Sequence, residues 1–526
     1  MWPEIALESD LNFHIQGASM NRTSRFLTSA IVFTALAVSL VPRLAAAETF
    51  DVYPTDDLFG VINGTAPGDE VIVHEGTYST QQDGGSWLCE VVLAGTEEAP
   101  IVVRAADGET VVLSGDPAGS QNVVNLSGTW FTWSGFEMVY GSHGLRMYPS
   151  SHATIENLHV HDTGDVGISA NAPGADYAQI TLRRNHVHHT GGTGECFYLG
   201  CNDAACAVHE SIVELNWCHD TIGTEQGDGI EVKTGSYNVI VRHNVIHDVN
   251  YPGITMYGTN GEAQNTVEGN VVWNTNDNGI QLVGDAIVRN NLVMNAGANG
   301  ISSNPSQGNV PRELDITYNT VVGAGDSCLR GNQWNGAESD SILVAGNALY
   351  CGATTAIRLP DGSGAATFAD NAVQGVDEAP GGTFPAGTPE DDLLDPGGMD
   401  LYPTAGSSLL EMGDAADAPA EDFNCLPRET GAPDVGAYER SADANPGWVV
   451  QPGFKECAST DGDADTDTDT DTDTDADTDV DTDADSDTDS DADAGSTGSA
   501  DGGCGCASIG TAPAGALLRA LFSATL

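Results

Sequence analysis

Positive charge is what this chain lacks. Only Lys233 and Lys455 are lysines among 526 residues, and the formal net charge is −60. Nucleic acid and anionic membrane both call for basic surface, so neither is an expected partner. Aromatic residues are scarce too, at 6%, whereas glycine is plentiful, with 63 residues. That balance suits a chain of many tight turns. Helical i, i+3, i+4 stripes are missing from the middle of the chain, which excludes a helical solenoid.

What is there is a recurring phrase. Asn157-Leu-His-Val-His-Asp is followed by Asn185-His-Val-His-His, Asn216-Trp-Cys-His-Asp and Asn244-Val-Ile-His-Asp. The series continues with Asn270-Val-Val-Trp-Asn, Asn291-Leu-Val-Met-Asn, Asn319-Thr-Val-Val-Gly and Asn347-Ala-Leu-Tyr-Cys. The steps between these asparagines are 28, 31, 28, 26, 21, 28 and 28 residues. A near-fixed period of this size marks a solenoid, whose units bury their apolar faces only by stacking. Alternating apolar and polar residues, as in Asn238-Val239-Ile240-Val241, make the units strands. The spacing therefore predicts an all-β parallel β-helix with coils roughly 4.8 Å apart. The asparagines are expected to stack as a structural ladder.

Aligning the strand after each turn gives an inward column of Ile168, Phe197, Ile230, Ile254, Ile280 and Ile301. Two residues on, Ala170, Leu199, Val232, Met256 and Leu282 also point inward. Alternation puts Ser169, Tyr198, Glu231, Thr255 and Gln281 on the outer face. Glu195 and Asp228 share a column just before the strand. One outer face thus collects Glu195, Tyr198, Asp228, Glu231, Lys233 and Tyr257. Such a cluster suits binding of a metal and abstraction of a proton. It equally suits an ordinary surface ion pair between Glu231 and Lys233.

Taken in order, the chain opens with a targeting pattern. Arg22 and Arg25 precede the apolar run from Phe26 to Val41, and Ala45-Ala46-Ala47 ends it. This predicts a secretory signal peptide over 20–47, with Met20 as its start; an N-terminal membrane anchor is the alternative. The phrase Ala66-Pro67-Gly68-Asp69, continued by Gly76-Thr77-Tyr78 and later Ala99-Pro100-Ile101-Val102-Val103-Arg104-Ala105, resembles the first coils of secreted polysaccharide lyases of the chondroitinase B and alginate lyase type. The resemblance implies a right-handed, single-stranded β-helix of the pectate-lyase kind, here over 48–396. Gln226-Gly-Asp228-Gly-Ile-Glu231-Val-Lys233-Thr is similar to the acidic-then-lysine phrase of the calcium-dependent members. By that resemblance Lys233 is the catalytic base. The resemblance likewise implies Asp228, with Glu231 or Glu195, as the calcium ligands; Tyr198 and Tyr257, on the same outer face, are the expected substrate-binding residues. Gln226 stands where a further acid is expected, and the next coil reads Thr255-Met-Tyr257, without an arginine.

His161, His188, His219 and His247 also recur at the coil period, with Trp273 and Met294 in the same place further on. They are expected to stack as a structural ladder; a zinc or copper site is the alternative. The 11 cysteines fit an exported, disulfide-bonded chain. Cys201 with Cys206, Cys328 with Cys351 and Cys425 with Cys457 are the expected pairs, and Cys196 with Cys218 is a further one. Cys89 has no evident partner.

Past the coils the character changes. Residues 397–457, ending near Pro433-Asp-Val-Gly-Ala-Tyr-Glu439, resemble the choice-of-anchor module of bacterial surface proteins, which implies a cap on the open end of the solenoid. Aspartate then occupies every odd position from 461 to 493. The stretch 458–501 is expected to be a disordered acidic stalk, lacking the glycine punctuation of a calcium loop. Residues 502–526, with Cys504 and Cys506 before an apolar tail, resemble a myxobacterial C-terminal sorting signal. The expectation is a secreted protein tethered to the bacterial outer surface, with polysaccharide as partner and no membrane domain in its folded part. It would be a calcium-dependent lyase of acidic glycans or, alternatively, a non-catalytic glycan-binding or adhesion protein.

Overall fold

A computed structural model describes residues 47–81, 89–224, 226–336, 341–428 and 431–457. The predicted signal peptide up to residue 46, the stalk and the sorting segment lie outside these residues. A single sheet of 34 strands runs through the described chain. Each strand pairs in parallel with the strand one coil above and below, which is the architecture of a parallel β-helix. Residue partners follow the expected inward column without a slip: Ile168 faces Phe197, then Ile230, Ile254, Ile280 and Ile301. These side chains are buried, and they join one continuous apolar core.

The fixed phrase has a backbone cause. Positive φ recurs five residues apart around the third strand of each coil. Asn157 pairs with Asp162, Leu215 with Asp220, His243 with Asp248 and Asn290 with Asn295. Such angles cost Gly, Asn and Asp least, and these residues fill most of the turn positions, with Leu215 and His243 among the exceptions. The asparagine immediately after the first of these positions turns inward. Asn216 Nδ2 donates to Asn244 Oδ1 at 2.9 Å, Asn244 to Asn270 at 2.9 Å and Asn270 to Asn291 at 3.0 Å.

The ladder runs from Asn185 to Asn371 and differs from expectation at both ends. Asn157 is not a rung. It occupies the left-handed turn position, is exposed, and leaves Leu158 opposite Asn185. Asn371, absent from the expected series, accepts from Asn347 Nδ2 at 2.9 Å and forms the last rung. An asparagine suits either position, which is why the phrase alone misplaces the first one.

A second outer face carries alternating charge. Glu156, Arg183, Glu214, Arg242, Glu268 and Arg289 lie opposite one another on successive coils. Arg183 meets Glu156 at 2.6 Å, Arg242 meets Glu214 at 2.6 Å and Arg289 meets Glu268 at 2.7 Å.

The third face turns apolar where the C-terminal segment covers it. Val245, Val271, Leu292, Ala348 and Ala372 point out of the solenoid, yet they are buried against Leu401, Leu409, Phe423, Val435 and Tyr438. The module expected to cap the open end therefore packs along the flank. Its Asp434–Glu439 stretch forms the seam. Arg428, itself buried, donates to Asn290 Oδ1 at 2.9 Å and to Glu439 Oε2 at 3.2 Å. Lys455 is buried as well and donates to Gly269 O at 2.8 Å and Phe423 O at 2.6 Å, with His243 Nδ1 at 3.1 Å. Disulfides join Cys201 to Cys206, Cys328 to Cys351, Cys425 to Cys457 and also Cys196 to Cys218. Cys89 is a buried free thiol.

Candidate functional site

Three adjacent strands build the site: Phe197–Leu199, Ile230–Val232 and Ile254–Met256. Strand alternation sends Ile230 and Val232 into the core and Glu231 to the opposite side, next to Tyr198 and Thr255 in register. Gly229, between Asp228 and Ile230, lets the coils close up. A Cβ there would lie 2.4 Å from the Gly253 carbonyl oxygen. That approach brings Asp228 beside Glu231 and under Glu195 of the preceding coil.

The carboxylates of Glu195, Asp228 and Glu231 each offer an oxygen within 4.8 Å of the other two. The Lys233 ammonium pairs with Glu231 Oε1. It also lies 4.7 Å from the Tyr198 ring centre and 5.0 Å from that of Tyr257, within cation–π range. Thr255 donates to Asp228 at 2.7 Å and Thr193 to Glu195 Oε2 at 2.6 Å. Glu195 Oε1 and Glu231 Oε2 accept no hydrogen bond among the described residues, although both are buried.

The structure thus brings all six expected residues together, but not on an open surface. Lys233 is 2% exposed, and Glu195, Asp228 and Glu231 are as deeply buried. The outward column is roofed by a loop from two coils further on. Gln307 Nε2 donates to the Tyr257 hydroxyl at 3.0 Å, and Asn309 Nδ2 to Thr234 Oγ1 at 2.8 Å. The surface ion pair foreseen between Glu231 and Lys233 exists as a buried one.

Burial sets the protonation behaviour. It pushes Glu195 up to about 7; the Thr193 hydroxyl opposes this and the Glu231 charge adds to it. Burial, then the neighbouring Glu231, raises Asp228 well above the usual carboxylate range. Glu231 is also raised by burial, against the pull of Lys233. Three acids and one base in a dry pocket leave a deficit of positive charge. The site can relieve it by keeping protons or by taking up a cation. The two orphaned oxygens and the all-oxygen donor set fit a hard cation such as calcium.

Sequence reasoning missed several neighbours. For Thr255, which alternation does place in the outward column beside Glu231, only the hydrogen bond to Asp228 was missed. Gln307 and Asn309 arrive from a loop, where no periodicity announces them. Upstream on the same face, His143 Nδ1 lies 2.9 Å from Ser169 Oγ, and burial holds the imidazole down to about 4.

The histidine ladder stands as expected. His161, His188, His219 and His247 stack at 5.1, 4.9 and 5.0 Å, and Trp273 follows at 4.3 Å. A parallel column of His159, His186 and Trp217 escaped notice, stacked at 4.7 and 3.9 Å.

Comparison with known proteins bears on the fold. Residues 218–373 match the family described as a right handed beta helix region. No curated protein matches the sequence. Among solved structures, the chain is similar to XylC in complex with xylose, at 12% identity and a TM-score of 0.51, covering 75% of this chain and 99% of that one. It is similar to pectate lyase Pel9A at 15% identity and 0.47, covering 76% and 98%. It is also similar to an alginate lyase from Paenibacillus sp. str. FPU-7 at 17% and 0.42, covering 53% and 94%. The fold is a right-handed parallel β-helix.

Proposed function

We propose that this chain acts on polysaccharide and that the buried cluster is a calcium-dependent site for β-elimination on uronate sugars. One observation carries the reading. Three buried carboxylates converge beside the only lysine of the coils, and two of their oxygens have no partner among the described residues. A solved structure of the same fold holds xylose, which supports a sugar as ligand.

Glu195, Asp228 and Glu231 would hold the ion. When bound, calcium supplies positive charge that neutralises the uronate carboxylate and acidifies the proton beside it. With Glu231 so engaged, the Lys233 ammonium would lose its counter-charge and give up a proton to solvent, leaving the neutral amine that a base requires. Lys233 then takes the proton from C5 of the uronate, and the C–H electron pair forms the C4–C5 double bond. The C4–O glycosidic bond breaks, and the leaving oxygen recovers the proton from the Lys233 ammonium. Tyr198 and Tyr257 flank the amine and would seat the sugar ring. The 304–311 loop must swing away for substrate to enter.

The same roofing favours a second reading, a non-catalytic glycan-binding protein, because Lys233 is enclosed and already paired. In either case we propose an exported protein tethered to the bacterial outer surface. The discriminating assay incubates the full chain with alginate, pectate and glycosaminoglycans, with calcium or with chelator. Ultraviolet absorbance of unsaturated products that appears only with calcium is expected. Absence of product on every uronate substrate, together with no calcium-dependent stabilisation, ends the lyase reading.

A further inference from the structure

The double histidine column does more than stack. His159 Nε2 faces His188 Nε2 at 2.9 Å, and His186 Nε2 faces His219 Nε2 at 2.8 Å. One rung further, Trp217 Nε1 donates to His247 Nε2 at 3.0 Å. An indole N–H donates and has no lone pair for an ion, so that rung is a hydrogen bond alone. The upstream rungs differ, because both partners there are imidazoles.

A second departure singles out one coil. His161, His219 and His247 each direct Nδ1 at the aspartate that follows, at 2.8, 2.8 and 2.7 Å. That aspartate occupies the left-handed turn position. In the coil of His188 the same position holds His189, with Nδ1 2.7 Å from His188 Nδ1. Four imidazoles therefore gather where the ladder's own rule calls for three and a carboxylate. His159, His186 and His188 each offer a nitrogen within 4.8 Å of the other two, and all three are partly accessible. They stand beside the flank covered by the C-terminal module, whose apolar seam reaches Trp217 on this column.

We propose that His159, His186 and His188 bind a late first-row divalent transition-metal ion of the zinc class, with His189 or solvent completing the shell. Nitrogen donors select such an ion over calcium, which takes oxygen. A metal–nitrogen distance of about 2.0–2.1 Å asks the 2.9 Å pair to open slightly and the third ring to rotate inward. The ion would clamp two adjacent coils where the module's cover ends.

The site is separate from the carboxylate cluster, so its test does not depend on the lyase reading. Chelator-treated full chain is titrated with Zn²⁺ alone by calorimetry and with Co²⁺ by visible spectroscopy. One saturable zinc equivalent is expected in the wild type. It should weaken at least tenfold in the double variant His159→Gln/His186→Gln and persist in His219→Gln. Co²⁺ should give the visible bands of a four-coordinate ion without a thiolate charge-transfer band. Equal zinc affinity in wild type and double variant overturns the proposal, as does an equal loss in His219→Gln. A missing visible Co²⁺ spectrum, or one with thiolate bands, overturns it even if the double variant fails to fold.

Discussion

Lys233 is the one cation in a cluster with three buried acids, and that position governs what its replacement does. Lys233→Met deletes the base and strands Glu195, Asp228 and Glu231 together out of water. Removing one partner of a buried ion pair costs about 3–5 kcal/mol. The variant should therefore unfold at lower urea in chelator and recover most of the loss in calcium, while staying inactive in both. Asp228→Asn should behave in the opposite sense, losing calcium stabilisation first and turnover as a consequence. Equal urea midpoints for Lys233→Met and wild type in chelator would show that the amine carries no part of the cluster's charge balance. The identities and the column of these residues were legible in the sequence, because Tyr198, Glu231 and Thr255 follow from strand alternation. Their burial was not. It comes from Gln307 and Asn309 on a loop some 75 residues on, and nothing in a period-two pattern says that an outward face is roofed.

At the scale of the repeating strand and its turn, the asparagine rungs and the left-handed turn positions make different demands on one residue type. Asn270 accepts from Asn244 through both its backbone and side-chain N–H and donates to Val241 O and Asn291 Oδ1. Asn270→Ala leaves several buried groups unpaired and should cost about 3 kcal/mol. Asn157→Gly should leave stability within about 0.5 kcal/mol of wild type, since the position asks only for positive φ. Chemical denaturation of the two variants checks the contrast, and equal losses would place Asn157 back in the ladder. The C-terminal module offers a titration. Burial lowers the Lys455 amine to about 7, against an ordinary value near 10.4. Between those limits the unfolded chain binds the extra proton, so stability should rise with pH, by up to about 1.4 kcal/mol per unit. Folding free energies from pH 7.5 to 9.5 should show this slope in wild type and lose it in Lys455→Met. A slope shared by both proteins would assign it to other groups. That the module lies along the flank was recorded in the sequence only indirectly, by Val245, Val271 and Leu292 standing where upstream coils place His159 and His186.

Across the whole molecule, parallel pairing, one core and the flank module are complete within the described residues. A chain lacking residues 459–526 should keep the cooperative thermal transition of the full protein, as circular dichroism melting would record. Loss of that transition would place part of the fold beyond residue 458. The solenoid was the most legible feature of all, because a fixed period, inward isoleucines and turn residues agree with one another. The face of alternating charge was not read, since Glu156, Arg183 and Glu214 are ordinary surface residues until register sets them opposite. That face has a consequence for how the chain could lengthen. Acid and base alternate strictly from Glu156 to Arg289, so inserting or deleting a single coil would set like against like at the junction, which is unfavourable for directly opposed residues. Within this stretch growth has a parity: duplication in pairs of coils keeps the sequence of signs intact, and duplication of one does not.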